Sequence, residues 1–196
     1  MDFVLASKNQ HKLQEMSAIL NQYGINLRLQ SEMNVDIDVE ETGTTFEENA
    51  FLKAEAVMKA TGLPAIADDS GLEVDALGGE PGIYSARYGG DACANDIERY
   101  ELLLRNMKAV PEGKRTGRFV CVIAAVYPDG RKIGAYGCCE GVITHVPSGE
   151  GGFGYDPVFY VPEEGCTFSQ MSAERKNEIS HRANALRVFQ EKLMEV

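Results

Sequence analysis

Apolar residues concentrate over positions 2–7 and predict a short N-terminal strand. Asn9 follows as a helix cap. Leu13, Met16, Leu20 and Tyr23 then recur on one face of a helix over roughly residues 10–23, closed by Gly24. Residues 26–30 read as a second strand, and a polar stretch runs on to Gly43. There Thr44-x-x-Glu47 or Thr45-x-x-Glu48 forms a capping box that opens a helix to about Thr61, with Gly62 after it. Pro64 to Ala67 predicts a short buried strand ending at Asp68-Asp69, with a tight turn allowed by Ser70 and Gly71, and Glu73 to Leu77 predicts another. A helix near 95–108 carries Ile97, Tyr100, Leu104 and Met107. Residues 116–127 form a long strand, Pro128-Asp129-Gly130 turns it, and 131–140 returns as a hairpin. Leu186, Phe189 and Leu193 mark a last helix over about 180–194. Early strand–helix alternation followed by a long hairpin indicates an α/β fold with a mixed sheet. No repeat, low-complexity tract or linker interrupts the chain, which is expected to form a single domain over residues 1–196.

Composition narrows the function more than the fold. At 196 residues, with 44% hydrophobic and 25% charged positions, the chain resembles an ordinary globular protein. Against 30 acidic residues stand 19 basic ones, a net charge of −11. Such a surface repels nucleic acid and anionic membrane, yet a small phosphorylated substrate needs only a local basic cluster and a metal. No apolar run reaches the roughly 18 residues of a membrane span. The N-terminus lacks a basic leader and reads as a strand, so a cytoplasmic location is expected. The five cysteines, Cys93, Cys121, Cys138, Cys139 and Cys166, contain no C-x-x-C pair. They fit reduced thiols better than a disulfide framework or a zinc site.

Five segments carry candidate chemistry. Ser7-Lys8-Asn9-Gln10-His11-Lys12 lies at a strand-to-helix junction, where backbone N–H groups and two lysines could bind an anion. A plain capped helix with solvated lysines would give the same pattern. Glu40-Glu41-Thr42-Gly43 precedes a helix, where acidic residues are expected for dipole reasons; one of the two glutamates could also help hold a hard cation. Asp68-Asp69-Ser70-Gly71 follows a buried strand, and a carboxylate there can hold Mg²⁺ or accept a proton from water. Gly149, Gly151 and Gly154 formally match G-x-G-x-x-G, but Asp156-Pro157 and an apolar run follow instead of a helix. That segment serves better as a glycine-flanked aromatic, Phe153, free to stack on a base. Lys176, His181 and Arg182 place cations at the expected start of the last helix, against its dipole, unless an anion sits there. No P-loop, H-E-x-x-H or G-x-S-x-G pattern is present.

In one order along the chain come Ser7-x-Asn9-x-x-Lys12, Glu40-Glu41-Thr42-Gly43, Asp68-Asp69-Ser70-Gly71-Leu72, Gly79-x-Pro81-Gly82-x-Tyr84-Ser85, Gly152-Phe153-Gly154-Tyr155-Asp156-Pro157 and Ser180-His181-Arg182. This series resembles the inosine triphosphate pyrophosphatase family, the XTP/dITP pyrophosphatases of non-standard purine nucleotides. The resemblance implies an elongated mixed sheet with flanking helices, two lobes around a central cleft, and a homodimer. It implies Mg²⁺-dependent cleavage of the α–β phosphoanhydride of ITP, dITP or XTP, releasing a monophosphate and pyrophosphate. By motif, Ser7, Lys8, Asn9, Gln10, His11, Lys12, Lys53, Lys176 and Arg182 would hold the triphosphate. Glu40 and Asp69 would hold Mg²⁺, with Glu41 the alternative to Glu40, and Asp69 would accept the proton of the attacking water. Ser70 would touch substrate, while Phe153, Gly154, Tyr155, Asp156, His181 and Arg182 would face the base. A nucleotide-binding sensor without turnover is the other class. A phosphatase working through an aspartyl phosphate would want D-x-D, which Asp69-Ser70-Gly71 does not supply.

Overall fold

The computed structural model describes residues 1–195. Its strands are β1 (Asp2–Leu5), β2 (Asn26–Leu29), β3 (Ala65–Val74), β4 (Thr116–Val126), β5 (Lys132–Ile143), β6 (Phe159–Val161) and β7 (Cys166–Thr167), and its helices are α1 (Gln10–Leu20), α2 (Phe46–Thr61), α3 (Asp96–Asn106), α4 (Ala173–Ile179) and α5 (His181–Met194). The strands form one seven-stranded sheet in the order β2-β1-β3-β4-β5-β6-β7. β1 pairs in parallel with both β2 and β3, whereas β6 runs antiparallel to β5 and β7. The α/β class with a mixed sheet is therefore as the pattern predicts.

The chain divides into two compact units. The first comprises Met1–Ser70, Cys121–Gly137 and Ser180–Val196; the second comprises Gly71–Val120 and Cys138–Ile179. The core of the first is built from Phe3 and Leu5 of β1, Met16, Ile19 and Leu20 of α1, Ile66 of β3, Cys121, Ile123 and Ala125 of β4, and Leu186 and Phe189 of α5. Every apolar position that the pattern assigned to β1 is buried, and Phe3 meets Tyr127 and Phe189 edge to face at 5.6 and 6.0 Å. α5 lies hard against β5 here: a Cβ on Gly137 would collide with the backbone N of Ala185. The second unit packs Leu72 and Val74 of β3, Leu103 of α3, Met107 just after it, Phe119, Ile143, Tyr155, Phe159 and Phe168 into its own core. A buried Arg115 ties it together, donating to the carbonyls of Ile143, Met107 and Thr144 at 2.8 Å each.

Helix starts follow local chemistry. Asn9 Oδ1 caps α1 through the N–H groups of His11 and Lys12, and Thr45 Oγ1 caps α2 through the N–H of Glu48. Asn95 and Ser180 do the same for α3 and α5. Three expectations need correction. Residues 65–74 are one strand of 10 residues, not two strands joined by a turn at Ser70-Gly71. Charged residues in a row read as an exit to solvent, but Asp68 and Asp69 stay in mid-strand because buried cations neutralise them. The hairpin's return strand continues to Ile143, beyond residue 140. Lys176 belongs to the separate helix α4, not to the start of the last helix, and the apolar run at 159–161 is β6.

Candidate active site

In the first unit the site starts from strand alternation. Successive side chains of β3 leave on opposite faces, so Asp68 and Asp69 meet different partners. Asp68 is fully enclosed. Its Oδ1 pairs with the Lys12 ammonium of α1 and accepts from Ser70 Oγ at 3.1 Å. Its Oδ2 accepts from Arg182 Nε and Cys121 Sγ, each at 2.9 Å. Burial alone would raise this carboxyl, but the charges of Arg182 and Lys12 overcome it and hold the group well below the usual carboxylate range.

Arg182 is as buried as its partner. Beyond Asp68 it donates to Glu15 of α1 and to Ser70 Oγ at 3.1 Å. Its donors thus bind α1, β3 and α5 together. His181, beside it, is also buried.

Asp69 faces Lys53 of α2. Lys53 Nζ donates to Asp69 Oδ1 at 2.5 Å, to Glu41 Oε1 at 2.9 Å and to the Asp68 carbonyl at 3.1 Å. Lys12 Nζ reaches the same carbonyl at 3.4 Å, so two ammoniums surround one backbone oxygen. Burial raises the Asp69 carboxyl to about 6 against the downward pull of Lys53. For Lys53 itself burial works against the charge, but Asp69 and Glu41 more than restore it, so its ammonium is held above the ordinary value.

Glu41 is delivered by the polar segment ahead of α2. Asn49, wholly buried in α2, accepts the Gly43 N–H at 2.8 Å, and Glu48 accepts the Thr44 N–H at 2.6 Å. A Cβ on Gly43 would stand 2.6 Å from Asn49 Oδ1, so this turn of chain closes only over a glycine. Of the adjacent glutamates, it is Glu41 that joins Lys53 and Asp69; Glu40 is exposed. Among the described residues no cluster of three or more His, Cys, Asp or Glu side chains could hold a metal. A carboxylate pair that shares one cation, as Glu41 and Asp69 share Lys53, does fit a hard ion completed by water and phosphate oxygens.

The remaining residues expected at the phosphates are less gathered. Ser7 Oγ accepts the Asn9 N–H at 3.1 Å. Lys8 pairs with Asp36 at 2.7 Å on the surface, and Gln10 and His11 are exposed. The Asn9 cap already engages two N–H groups of the helix start.

In the second unit the glycine-rich segment folds around Asp156. Oδ2 of Asp156 accepts the Phe153 N–H at 3.0 Å and the Lys176 ammonium at 2.6 Å, and both charged groups are buried. A Cβ on Gly152, at φ 73, would collide with that same oxygen. Lys176 Nζ lies 5.0 Å from the Phe153 ring centroid, a cation–π arrangement. Lys176 therefore groups with the aromatic segment, not with the helix start that its sequence neighbourhood implied. Tyr155 is structural in its contacts: its hydroxyl donates to the Ser85 carbonyl at 2.7 Å, while Ser85 Oγ accepts the Leu72 N–H at 2.9 Å. Ser85 of the Tyr84-Ser85 motif thus anchors the segment. The Gly154 N–H donates to Asp96 Oδ2 at 2.9 Å.

Sequence reasoning overlooked Glu15, Asn49 and Asp96. Glu15 had a signal: it follows Lys12 by three positions on one helix face. Asn49 and Asp96 looked like ordinary residues of a first helical turn.

The chain matches the Ham1 family over residues 3–192. A protein named dITP/XTP pyrophosphatase from Thermus thermophilus is 52% identical over 191 residues, 97% of this chain and 91% of that one. Another of the same name from Shigella flexneri is 49% identical over 188 residues, 95% of this chain and 94% of its own. The solved structure of a HAM1 protein from Coxiella burnetii superposes with a TM-score of 0.89 at 43% identity, covering 100% of both chains.

Proposed function

The chain belongs to the Ham1 family, and from that membership we propose that it is a Mg²⁺-dependent nucleoside triphosphate pyrophosphatase acting on ITP, dITP and XTP. The observation that carries the chemistry is Lys53 held between Asp69 and Glu41, with Lys12 at the same backbone oxygen.

In this reading Asp69 and Glu41 hold Mg²⁺, which when bound supplies charge neutralisation at the phosphates. A carboxyl at about 6 is largely ionised at neutral pH and still basic enough to take a proton. Asp69 accepts one proton from the attacking water as the water oxygen bonds to the α-phosphorus. The α-phosphorus–oxygen bond to the β-phosphate breaks, and pyrophosphate leaves with that electron pair. Lys12 and Lys53 neutralise the oxygens of the triphosphate. Asp68 and Arg182 act behind them: Asp68 fixes Lys12, and Arg182 with Glu15 fixes Asp68.

For the base, Phe153 supplies a face for stacking. Lys176 is an ammonium donor beside it, and Asp156 an acceptor. A 6-oxo purine with a protonated N1 matches one donor and one acceptor, whereas adenine reverses both.

Among the described residues no helix is long and apolar enough to cross a membrane. A homodimer, resting on the family resemblance, remains part of the proposal, as does a cytoplasmic location. The direct test is product analysis with ITP and XTP in Mg²⁺. Equal amounts of monophosphate and pyrophosphate are expected. Orthophosphate as the first product would overturn the reading, and unchanged turnover in excess chelator would remove the metal from it.

A further inference from the structure

We propose that Asp96 is a positioning residue for base binding: its carboxylate holds the Gly154 amide and thereby fixes the Phe153 ring as a stacking platform. The proposal rests on the reading of Phe153 as that platform.

The segment around Phe153 is anchored at three depths within the second unit. At the backbone of Phe153 itself, the N–H is committed to buried Asp156, which Lys176 neutralises. Further back, the Gly151 N–H donates to the Ser169 carbonyl at 3.1 Å and the Tyr155 hydroxyl to the Ser85 carbonyl at 2.7 Å. At the next residue, the Gly154 N–H crosses 58 positions of sequence to reach Asp96. Gly154 has φ 61, and Gly152 has φ 73, so Phe153 sits between two residues in the left-handed region. Glycines there leave the backbone with little intrinsic preference, and hydrogen bonds at both ends must set the ring direction.

Asp96 suits that task. It is the first residue of α3, whose Asn95 cap and Glu98 fix the helix start. It is half-exposed, with Oδ1 paired to Arg99 at 3.0 Å and Oδ2 on the Gly154 N–H. The bond to Gly154 is charge-assisted, the stronger class of hydrogen bond. Nothing about the purine itself is read by Asp96; the effect passes through Phe153 and applies to every base alike.

The test is a set of variants assayed with ITP in Mg²⁺. Asp96→Ala should raise KM about tenfold, the worth of one charge-assisted bond, with kcat within about twofold. Asp96→Asn, which keeps an acceptor oxygen, should recover most of the loss. Arg99→Ala removes the ion pair but not the bond to Gly154, and should leave KM near the unaltered value. In a Phe153→Ala background, Asp96→Ala should add nothing further, because both act on one element. Amide exchange over residues 151–155 should speed up in Asp96→Ala and not in Asp96→Asn. Additive losses, equal damage from Arg99→Ala, or an unchanged KM in Asp96→Ala would each overturn the proposal. An inert Phe153→Ala would remove the platform and the proposal with it. If the unaltered protein fails to turn over ITP, the pyrophosphatase reading falls alone, and the same variants are compared by calorimetric titration with ITP.

Discussion

Lys53 donates to Oδ1 of Asp69 at 2.5 Å, and through this bond a helix and a strand of the first unit hold one carboxylate in a fixed direction. The same ammonium takes Glu41, so the carboxylates that can share a divalent ion already share a cation.

That arrangement predicts which glutamate matters. Glu41→Gln should lower kcat/KM at least about tenfold, because it removes one charged ligand, while Glu40→Gln should stay within about threefold. Asp69→Asn should cost about 10²–10⁴ in kcat with the fold retained, since an amide accepts no proton. Steady-state assays with ITP, alongside circular dichroism, check all three. Greater damage from Glu40→Gln than from Glu41→Gln would return the ligand role to Glu40.

The Asp69 carboxyl also sets a pH dependence. Burial lifts it to about 6, so protons compete with the metal below that value. The ionised fraction drops close to tenfold between pH 7 and pH 5, and half-saturation should need about tenfold more Mg²⁺ at the lower pH. A Mg²⁺ requirement that does not move between those pH values would contradict the assignment.

Asp68 carries a stability prediction instead. Asp68→Ala leaves Lys12 and Arg182 short of a buried anion, and breaking such a pair costs about 3–5 kcal/mol. Because the folded carboxyl titrates below its unfolded value, its stabilisation is fully present above about pH 3.9 and is lost as the pH falls further. Denaturant unfolding should therefore show the full difference from the unaltered protein at pH 7 and a shrinking one below that point. A constant difference across the acid range would mean that Asp68 stabilises by packing and not by charge.

The parts of this molecule written in local pattern were legible beforehand. Thr45 and Gly62 bound α2 as a capping box and closing glycine predict, and Phe3, Val4 and Leu5 are buried as their apolar run requires. Local pattern misled at Asp68-Asp69, because the compensating charges of Lys12, Lys53 and Arg182 come from three other elements. For the same reason the pairing of Arg182 with Asp68 and Glu15 was not legible: its place at a helix start marks it only as a cation that an anion would offset. Arg115 carries no local signal, and only the tertiary fold brings the carbonyls of Met107, Ile143 and Thr144 around it. Asp96 lies too far in sequence from Gly154 for any spacing to join them.

The central claim is that this chain hydrolyses 6-oxo purine triphosphates in preference to ATP, and the side-by-side kcat/KM for ITP and ATP tests it most directly. If Lys176 donates to the base and Asp156 accepts from it, as proposed, adenine would set donor against donor and acceptor against acceptor. Sites built on such bonds reject the wrong analogue by up to roughly 10⁴–10⁵, and a preference for ITP of at least about 10² is expected here. Equal kcat/KM for ITP and ATP would contradict it.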